Sequence, residues 1–464
     1  MNTNSRNLTL LTDLYELTMM QGYFKTHSKE HVVFDVFYRQ NPCGGAYAIA
    51  CGLDQAIDYI KDLHFEQEDI DYLRSTGFFQ EDFLDYLKNF RFTGDIYAIP
   101  EGTIIFPKEP LVKVIAPIME AQLVETALLN IINHQSLIAT KAARVVQEAG
   151  GGVMEFGLRR AQGPDAGIYG ARAAVIAGCI GTSNVLAGQM FDIPVKGTHA
   201  HSWIMSFPSE LEAFRTYAEL FPDNCLLLVD TYDTLNSGVK HAIQVFREMR
   251  EKGIHSKLFG IRLDSGDLAY LTKKARIMLD EAGFPDAIIS ASSDLDEYLI
   301  NSLMNQGAKI TSWGVGTNLI TSKDCPSFGG VYKLACIIDE NGTEIPKIKV
   351  SEKVEKADLI TLEDEVFTED QPLTLFDPLA TWKRTRLEAG TYTIRELLVP
   401  IFKNGQCVYE SPSVMDIQAY CTQEKATLWD ESKRLFNPHQ MYIDLSPRLY
   451  EVKKQLLDRM SADD

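Results

Sequence analysis

From Val153 to Gly314 short apolar runs alternate with stretches of helical periodicity, and this alternation constrains the fold more than any other feature of the chain. Seven runs read as strands: Val153–Phe156, Cys179–Thr182, Pro194–Thr198, Cys225–Asp230, Leu258–Asp264, Ile288–Ser292 and Lys309–Gly314. Helices lie between most of them, most plainly over Ser237–Lys252, Leu268–Ala282 and Leu295–Asn305. Gly253 and Gly283 follow two of these helices, where a glycine ends a helix readily. Strands alternating with helices imply crossover connections and a parallel sheet. Seven such units predict an α/β fold closed into an irregular (β/α) barrel rather than an open sheet.

In such a barrel the C-terminal ends of the strands converge on one face. Here nearly every predicted strand ends in glycine plus polar or charged residues. The first gives Glu155-Phe156-Gly157-Leu158-Arg159-Arg160, the second Gly181-Thr182-Ser183-Asn184, the third Gly197-Thr198-His199-Ala200-His201. The fourth gives Asp230-Thr231-Tyr232-Asp233, the fifth Arg262-Leu263-Asp264-Ser265-Gly266-Asp267, the sixth Ser292-Ser293-Asp294, the seventh Gly314-Val315-Gly316-Thr317. Any one of these is more often a structural turn than a site. Seven in register with seven strand ends point to one shared site.

Outside this region the regular alternation is missing. Residues 8–26 have helical spacing, with Thr12 as a candidate N-cap, and 31–39 alternate as a strand does. Helices over about 53–62, 67–74 and 80–88 and strands over 95–99, 103–106 and 111–115 follow. This mixture predicts a separate α+β domain over 1–140, with one or two long helices over 118–148 leading into the barrel over 141–335. Residues 336–464 are expected to return to the N-terminal domain, with strands over 331–338 and 345–350, an acidic stretch over 362–371, a last helix over 450–460 and frayed Asp463 and Asp464.

The net charge of −19 opposes nucleic-acid binding, yet local arginines and backbone N–H groups can still bind phosphates. Eight scattered cysteines without a Cys-x-x-Cys argue for free thiols, and no apolar run is long enough for a membrane helix. With a polar N-terminus these features predict a soluble, cytoplasmic protein that binds neither nucleic acid nor membrane.

The strand ends suggest a chemistry. Arg159, Arg160 and Arg262 are bidentate donors for carboxylate or phosphate oxygens. Ser292, Ser293, Gly314, Gly316 and Thr317 suit a terminal phosphate. Phe156 could stack on a flat ring. Asp230, Asp264 and Asp267 could hold Mg²⁺ or ribose hydroxyls, although Asp267 directly precedes a helix and could simply cap it. His199 and His201 could each be nucleophile, base or ligand, or ordinary loop residues, and their spacing alone does not separate them. Lys196 as a Schiff-base amine would need desolvation, which nothing in the sequence suggests. A Walker loop is absent, so ATP, if used, is held otherwise.

Six stretches, taken together, resemble the nicotinate phosphoribosyltransferase family: Thr12-Asp-Leu-Tyr-Glu-Leu-Thr-Met19, Glu155-Phe-Gly-Leu-Arg-Arg-Ala-Gln-Gly163, Ser183-Asn-Val-Leu-Ala-Gly188, Gly197-Thr-His-Ala-His-Ser202, Gly260-Ile-Arg-Leu-Asp-Ser-Gly-Asp267 and Gly329-Gly-Val-Tyr-Lys333. The resemblance implies a head-to-tail homodimer with shared sites. It also implies an ATP-coupled reaction that joins nicotinate to phosphoribosyl pyrophosphate and requires Mg²⁺. It makes His201 the histidine phosphorylated by ATP and leaves His199 as lining. Tyr15 of the neighbouring subunit would stack on the pyridine ring opposite Phe156, with Thr198, Arg262 and Ser183 near the nicotinate. Arg159, Asp264, Ser265 and Ser293 would line the phosphoribosyl pyrophosphate site. Thr317 with the Gly314–Gly316 turn would hold the 5′-phosphate, and Arg39 would reach across the interface. No acid stands in the second strand's loop, which favours a carboxylate ring over nicotinamide. A nicotinamide or quinolinate transferase and a catalytically silent relative are the alternatives.

Overall fold

A computed structural model describes residues 6–27, 29–348, 365–366, 373–375, 394–441, 443 and 445–462. It is a mixed α/β protein of two compact units, Met1–Leu137 with Ser327–Asp464, and Ile138–Pro326. The predicted strand end Val350, most of the acidic stretch, Asp463 and Asp464 lie outside the described residues.

The first unit is built on a seven-stranded sheet in the order Glu344–Pro346, Gly330–Ile338, His31–Tyr38, Val112–Pro117, Asp95–Ala98, Val399–Lys403, Gln406–Cys407. His31–Tyr38 is an interior strand, antiparallel to a neighbour on each side, and is buried along all but its first residue. That register sets Asp35 opposite Lys113 on one neighbour and Lys333 on the other. Gly330–Ile338 therefore belongs to this sheet, and the second unit ends at Pro326 rather than near 335.

Helix Leu14–Thr26 begins one residue later than a Thr12 cap would place it. Asp13 occupies the cap position in an extended conformation, and the Thr12 hydroxyl turns instead to the Glu16 carboxylate. Glu16 is buried; burial pushes its carboxyl up to about 7, against the lowering by the Thr126 hydroxyl, which donates to it at 2.7 Å.

The second unit carries a parallel sheet in the order Val153–Glu155, Ser312–Val315, Ile288–Ala291, Phe259–Leu263, Cys225–Leu228. Five of the seven predicted strands thus form continuous ladders. The other two are reduced to single parallel bridges, Thr182 to Glu155 and Val195 to Thr182. Pro194 lacks an N–H and can only accept, from Thr182, so this edge has fewer ladder bonds. Between Val195 and Cys225 the links are side-chain bonds: Asn224 Nδ2 to the Gly197 carbonyl at 3.3 Å, and Leu228 N–H to His199 Nε2 at 3.4 Å.

The intervening helices start on side-chain caps: Asn184, Ser209, Asp267 and Asp296 each accept a backbone N–H of the first turn. The helix expected from Ser237 opens instead with a π turn, Thr234–Gly238, and continues as Val239–Glu251. Gly238 lies so close to the strand end that a Cβ would meet the Val229 carbonyl oxygen at 1.9 Å. In the same unit a buried ion triad joins Glu297 to Lys141 at 2.7 Å and to Arg144 at 3.1 Å.

Candidate functional site

At the C-terminal ends of the parallel strands the second unit holds a cavity of about 320 Å³. Phe156, Arg159, Arg262, Asp264, Ser293, Gly314, Gly316 and Thr317 line it. With Arg160 and Ser292, ten residues singled out from sequence are thus brought to one place. Asp294 also lines it. It stands in the strand-end run Ser292-Ser293-Asp294, but nothing in that short run distinguishes it from its neighbours.

The glycines here leave room for the ring. A Cβ on Gly314 would lie 2.5 Å from Phe156 Cδ2, and one on Gly316 would lie 3.1 Å from the Phe156 carbonyl oxygen. Phe156 N–H donates to the Val315 carbonyl at 2.8 Å, which pins the first loop to the last. Thr317 opens the short helix Thr317–Ile320, whose first N–H groups have no helical partner. Asn318 Nδ2 donates to the carbonyls of Asp294 at 2.7 Å and Leu295 at 3.1 Å, and so fixes the sixth loop against the seventh.

Arg262 is held from below. Its Nη1 donates to the Thr198 hydroxyl and, at 3.2 Å, to the His199 carbonyl, while Nη2 stands 3.9 Å from Asp264 Oδ1. Burial lowers its pKa, opposed by Asp264 and Asp230. A guanidinium stays charged in a protein nonetheless, so the cavity floor is a half-desolvated cation with a fixed plane.

The two histidines separate clearly. His199 is buried; its Nε2 accepts from Leu228 N–H, and its ring meets Tyr217 edge-on at 4.6 Å between centroids. Burial pushes it down to about 4, so it is a neutral packing residue. His201 begins the helix His201–Met205 and is 37% exposed. Its Nδ1 is 3.0 Å from Thr231 Oγ1, and its Nε2 is 4.0 Å from Asp230 Oδ1 and 3.9 Å from Asp264 Oδ2.

Asp230 is the hub behind it, with a side chain only 1% exposed. Its Oδ2 accepts from Asp264 N–H at 2.8 Å and from Ser265 Oγ at 2.6 Å, and Oδ1 is buried without a hydrogen-bond partner. Asp264 Oδ1 in turn accepts from Ser292 Oγ at 2.6 Å. Asp267 is a helix cap, its side chain accepting from Tyr270 N–H at 3.0 Å, and takes no part in this cluster. Lys196 is exposed, as a Schiff-base lysine should not be. Among the described residues no group of three or more His, Cys, Asp or Glu side chains could hold a metal ion.

Ser183 lies in the second loop, half-buried, its N–H bonded to the Glu155 carbonyl at 3.0 Å. Tyr15 and Arg39 belong to the first unit. Tyr15 is 47% exposed on helix Leu14–Thr26; burial, then Glu125 and Glu16, raise its phenol pKa. Arg39 is exposed just after the strand His31–Tyr38.

Three family models match the chain: the nicotinate phosphoribosyltransferase N-terminal domain over residues 10–133, the nicotinate phosphoribosyltransferase family over 152–371, and its C-terminal domain over 348–453. A nicotinate phosphoribosyltransferase of Bacillus subtilis (strain 168) is 43% identical over 489 residues, covering 98% of this chain and 98% of the relative. One from Caenorhabditis elegans is 34% identical, covering 95% and 92%. The crystal structure of human nicotinic acid phosphoribosyltransferase superposes with a TM-score of 0.79 at 26% identity, covering 96% of this chain and 99% of that one.

Proposed function

The chain belongs to the nicotinate phosphoribosyltransferase family, and we infer that the cavity over Arg262 is where it performs that family's reaction. It joins nicotinate to phosphoribosyl pyrophosphate, giving nicotinate mononucleotide and pyrophosphate, a step in NAD synthesis. The pyridine nitrogen attacks C1 of the sugar, and the bond to the pyrophosphate oxygen breaks with its electron pair. The observation that carries this reading is Arg262, a half-buried guanidinium locked by Thr198 and the His199 carbonyl in a cavity that Phe156 also lines. A flat ring bearing a carboxylate matches both groups, and the second strand's loop carries Ser183 rather than an acid that would repel it.

Arg159, Asp264, Ser265 and Ser293 line the phosphoribosyl pyrophosphate side in this reading, and Gly314, Gly316 and Thr317 receive the 5′-phosphate. We read the seven strand ends as one irregular barrel mouth. A second copy of the chain completes the site with Tyr15, stacked on the ring opposite Phe156, and Arg39. ATP transfers its γ-phosphoryl group to a ring nitrogen of His201: a P–N bond forms, the P–O bond to ADP breaks, and water later releases phosphate. Asp230 and Asp264 beside Nε2 stabilise the charge that develops on the imidazole, and Thr231 orients it at Nδ1.

Mg²⁺ suits this face. Asp230 Oδ1 is buried without a hydrogen-bond partner, Asp264 stands beside it, and Mg²⁺ takes one or two carboxylates together with substrate phosphate oxygens. Bound there, the ion would neutralise charge on the departing pyrophosphate. The scattered thiols and acidic charge agree with a cytoplasmic enzyme, and no described helix is long and apolar enough to cross a membrane. The test is product formation: purified protein with nicotinate, phosphoribosyl pyrophosphate and Mg²⁺ forms nicotinate mononucleotide, and ATP drives it further. Equal turnover of nicotinamide would contradict the reading.

A further inference from the structure

Between the first and second strand ends the parallel ladder thins to one bridge, Glu155 to Thr182. The side chain at that bridge is a fully buried carboxylate. Glu155 Oε1 accepts the N–H of Gly157 on its own turn, and Oε2 accepts the Thr182 hydroxyl at 2.6 Å. The Glu155 backbone reaches the same loop, its N–H donating to the Gly181 carbonyl and its carbonyl accepting from Ser183 N–H, both at 3.0 Å.

Thr182 passes the connection on. Its Oγ1 accepts from Asn184 N–H at 3.0 Å; the Asn184 side chain accepts from Ala187 N–H and donates to the Gly167 carbonyl, both at 3.1 Å. Thr182 and Asn184 are buried as completely as Glu155. An apolar residue would fill this space without the cost of burying a charge, so the network exists for geometry rather than for packing. Gly157 cannot anchor its own turn, because a Cβ there would lie 2.5 Å from Ile320 Cβ.

Neither Glu155 nor Thr182 lines the cavity, yet Phe156 and Arg159, in the turn that follows Glu155, do. We propose that Glu155 and Thr182 are positioning residues: their hydrogen bond locks the turn bearing Phe156 and Arg159 to the loop bearing Ser183, and so sets the affinity for the pyridine substrate. This rests on nicotinate binding over Arg262. The role is in ground-state binding, since nothing in the network touches His201 or the reacting atoms.

Steady-state kinetics of the full chain test it, with T182V, T182S and E155Q compared to the parent. Val is nearly isosteric with Thr but leaves Glu155 Oε2 and Asn184 N–H without their partner. The expected result for T182V is a KM for nicotinate raised about tenfold, the loss of one hydrogen bond to a charged group, with kcat within about twofold. T182S keeps the hydroxyl and stays within about twofold in both. E155Q keeps an acceptor for Gly157, loses the acceptor for Thr182, and shows the same KM-selective defect if T182V fails to fold. An unchanged KM in T182V and E155Q, a defect in T182S equal to that of T182V, or a fall confined to kcat overturns the proposal. A parent that makes no nicotinate mononucleotide overturns the underlying reading instead, and this proposal with it.

Discussion

Replacing Arg262 by lysine keeps the charge and removes the fork. In the structure Nη1 already donates to Thr198 and to the His199 carbonyl, and Nη2 faces Asp264 from 3.9 Å at the cavity wall. A single ammonium on a flexible stem cannot hold the Thr198 side, stay beside Asp264 and still meet a substrate carboxylate in plane. At least one charge-assisted hydrogen bond is lost, about 1.5–3 kcal/mol, or roughly 10- to 150-fold in kcat/KM for nicotinate. Most of it appears in KM if the carboxylate contact is equally strong in ground and transition states. The assay is initial-rate formation of nicotinate mononucleotide at saturating phosphoribosyl pyrophosphate, with thermal unfolding as a control for folding. A variant within about threefold of the parent would refute the argument that the guanidinium plane recognises the carboxylate.

Three further outcomes follow from the packing. Gly314→Ala forces Phe156 from its place, because the new Cβ would lie 2.5 Å from Cδ2, and KM for nicotinate rises about tenfold or more with little change in folding stability, as substrate titrations read. Glu297→Ala leaves Lys141 and Arg144 buried without their shared anion, and urea unfolding registers a loss of about 3–5 kcal/mol. Asp35 is fully buried, neither oxygen has a hydrogen-bond partner, and burial pushes its carboxyl up to about 7, with Lys113 opposing. A raised acid contributes stability that is present below its ordinary pKa and lost as pH rises through about 7. Asp35→Asn therefore flattens the decline in melting temperature between pH 5 and pH 8; an equally steep decline in the variant would count against a buried, proton-binding Asp35.

The parallel strands from Cys225 onward were legible because each is a short apolar run closed by a polar or glycine-containing turn, and the helices after them carry their own capping residues. The strands near Thr182 and Val195 read as equals of the others, but Pro194 and the brevity of the runs reduce them to bridges; hydrophobicity reports burial and not ladder length. The cavity was legible from the register of polar strand ends. What was not legible was direction. Asp267 and Asp264 stand in one motif, yet one caps a helix while the other faces His201, because only the turn geometry decides which carboxylate points inward. His199 and His201 differ in the same way: one packs against Tyr217 and the other against Thr231. Glu155 was invisible as a functional residue, since a buried acid inside a strand shows its purpose only through partners 27 residues away.

In the proposed reaction His201, held by Thr231 and flanked by Asp230 and Asp264, takes the phosphoryl group of ATP during nicotinate mononucleotide synthesis. The most direct measurement is to incubate the protein with γ-labelled ATP and Mg²⁺, digest it, and map acid-labile phosphate by mass spectrometry. The expected result is label on the peptide containing His201, none in His201→Ala, and loss of ATP hydrolysis coupled to product formation in that variant. Label on another residue, or coupled ATP hydrolysis that survives His201→Ala unaltered, would contradict it.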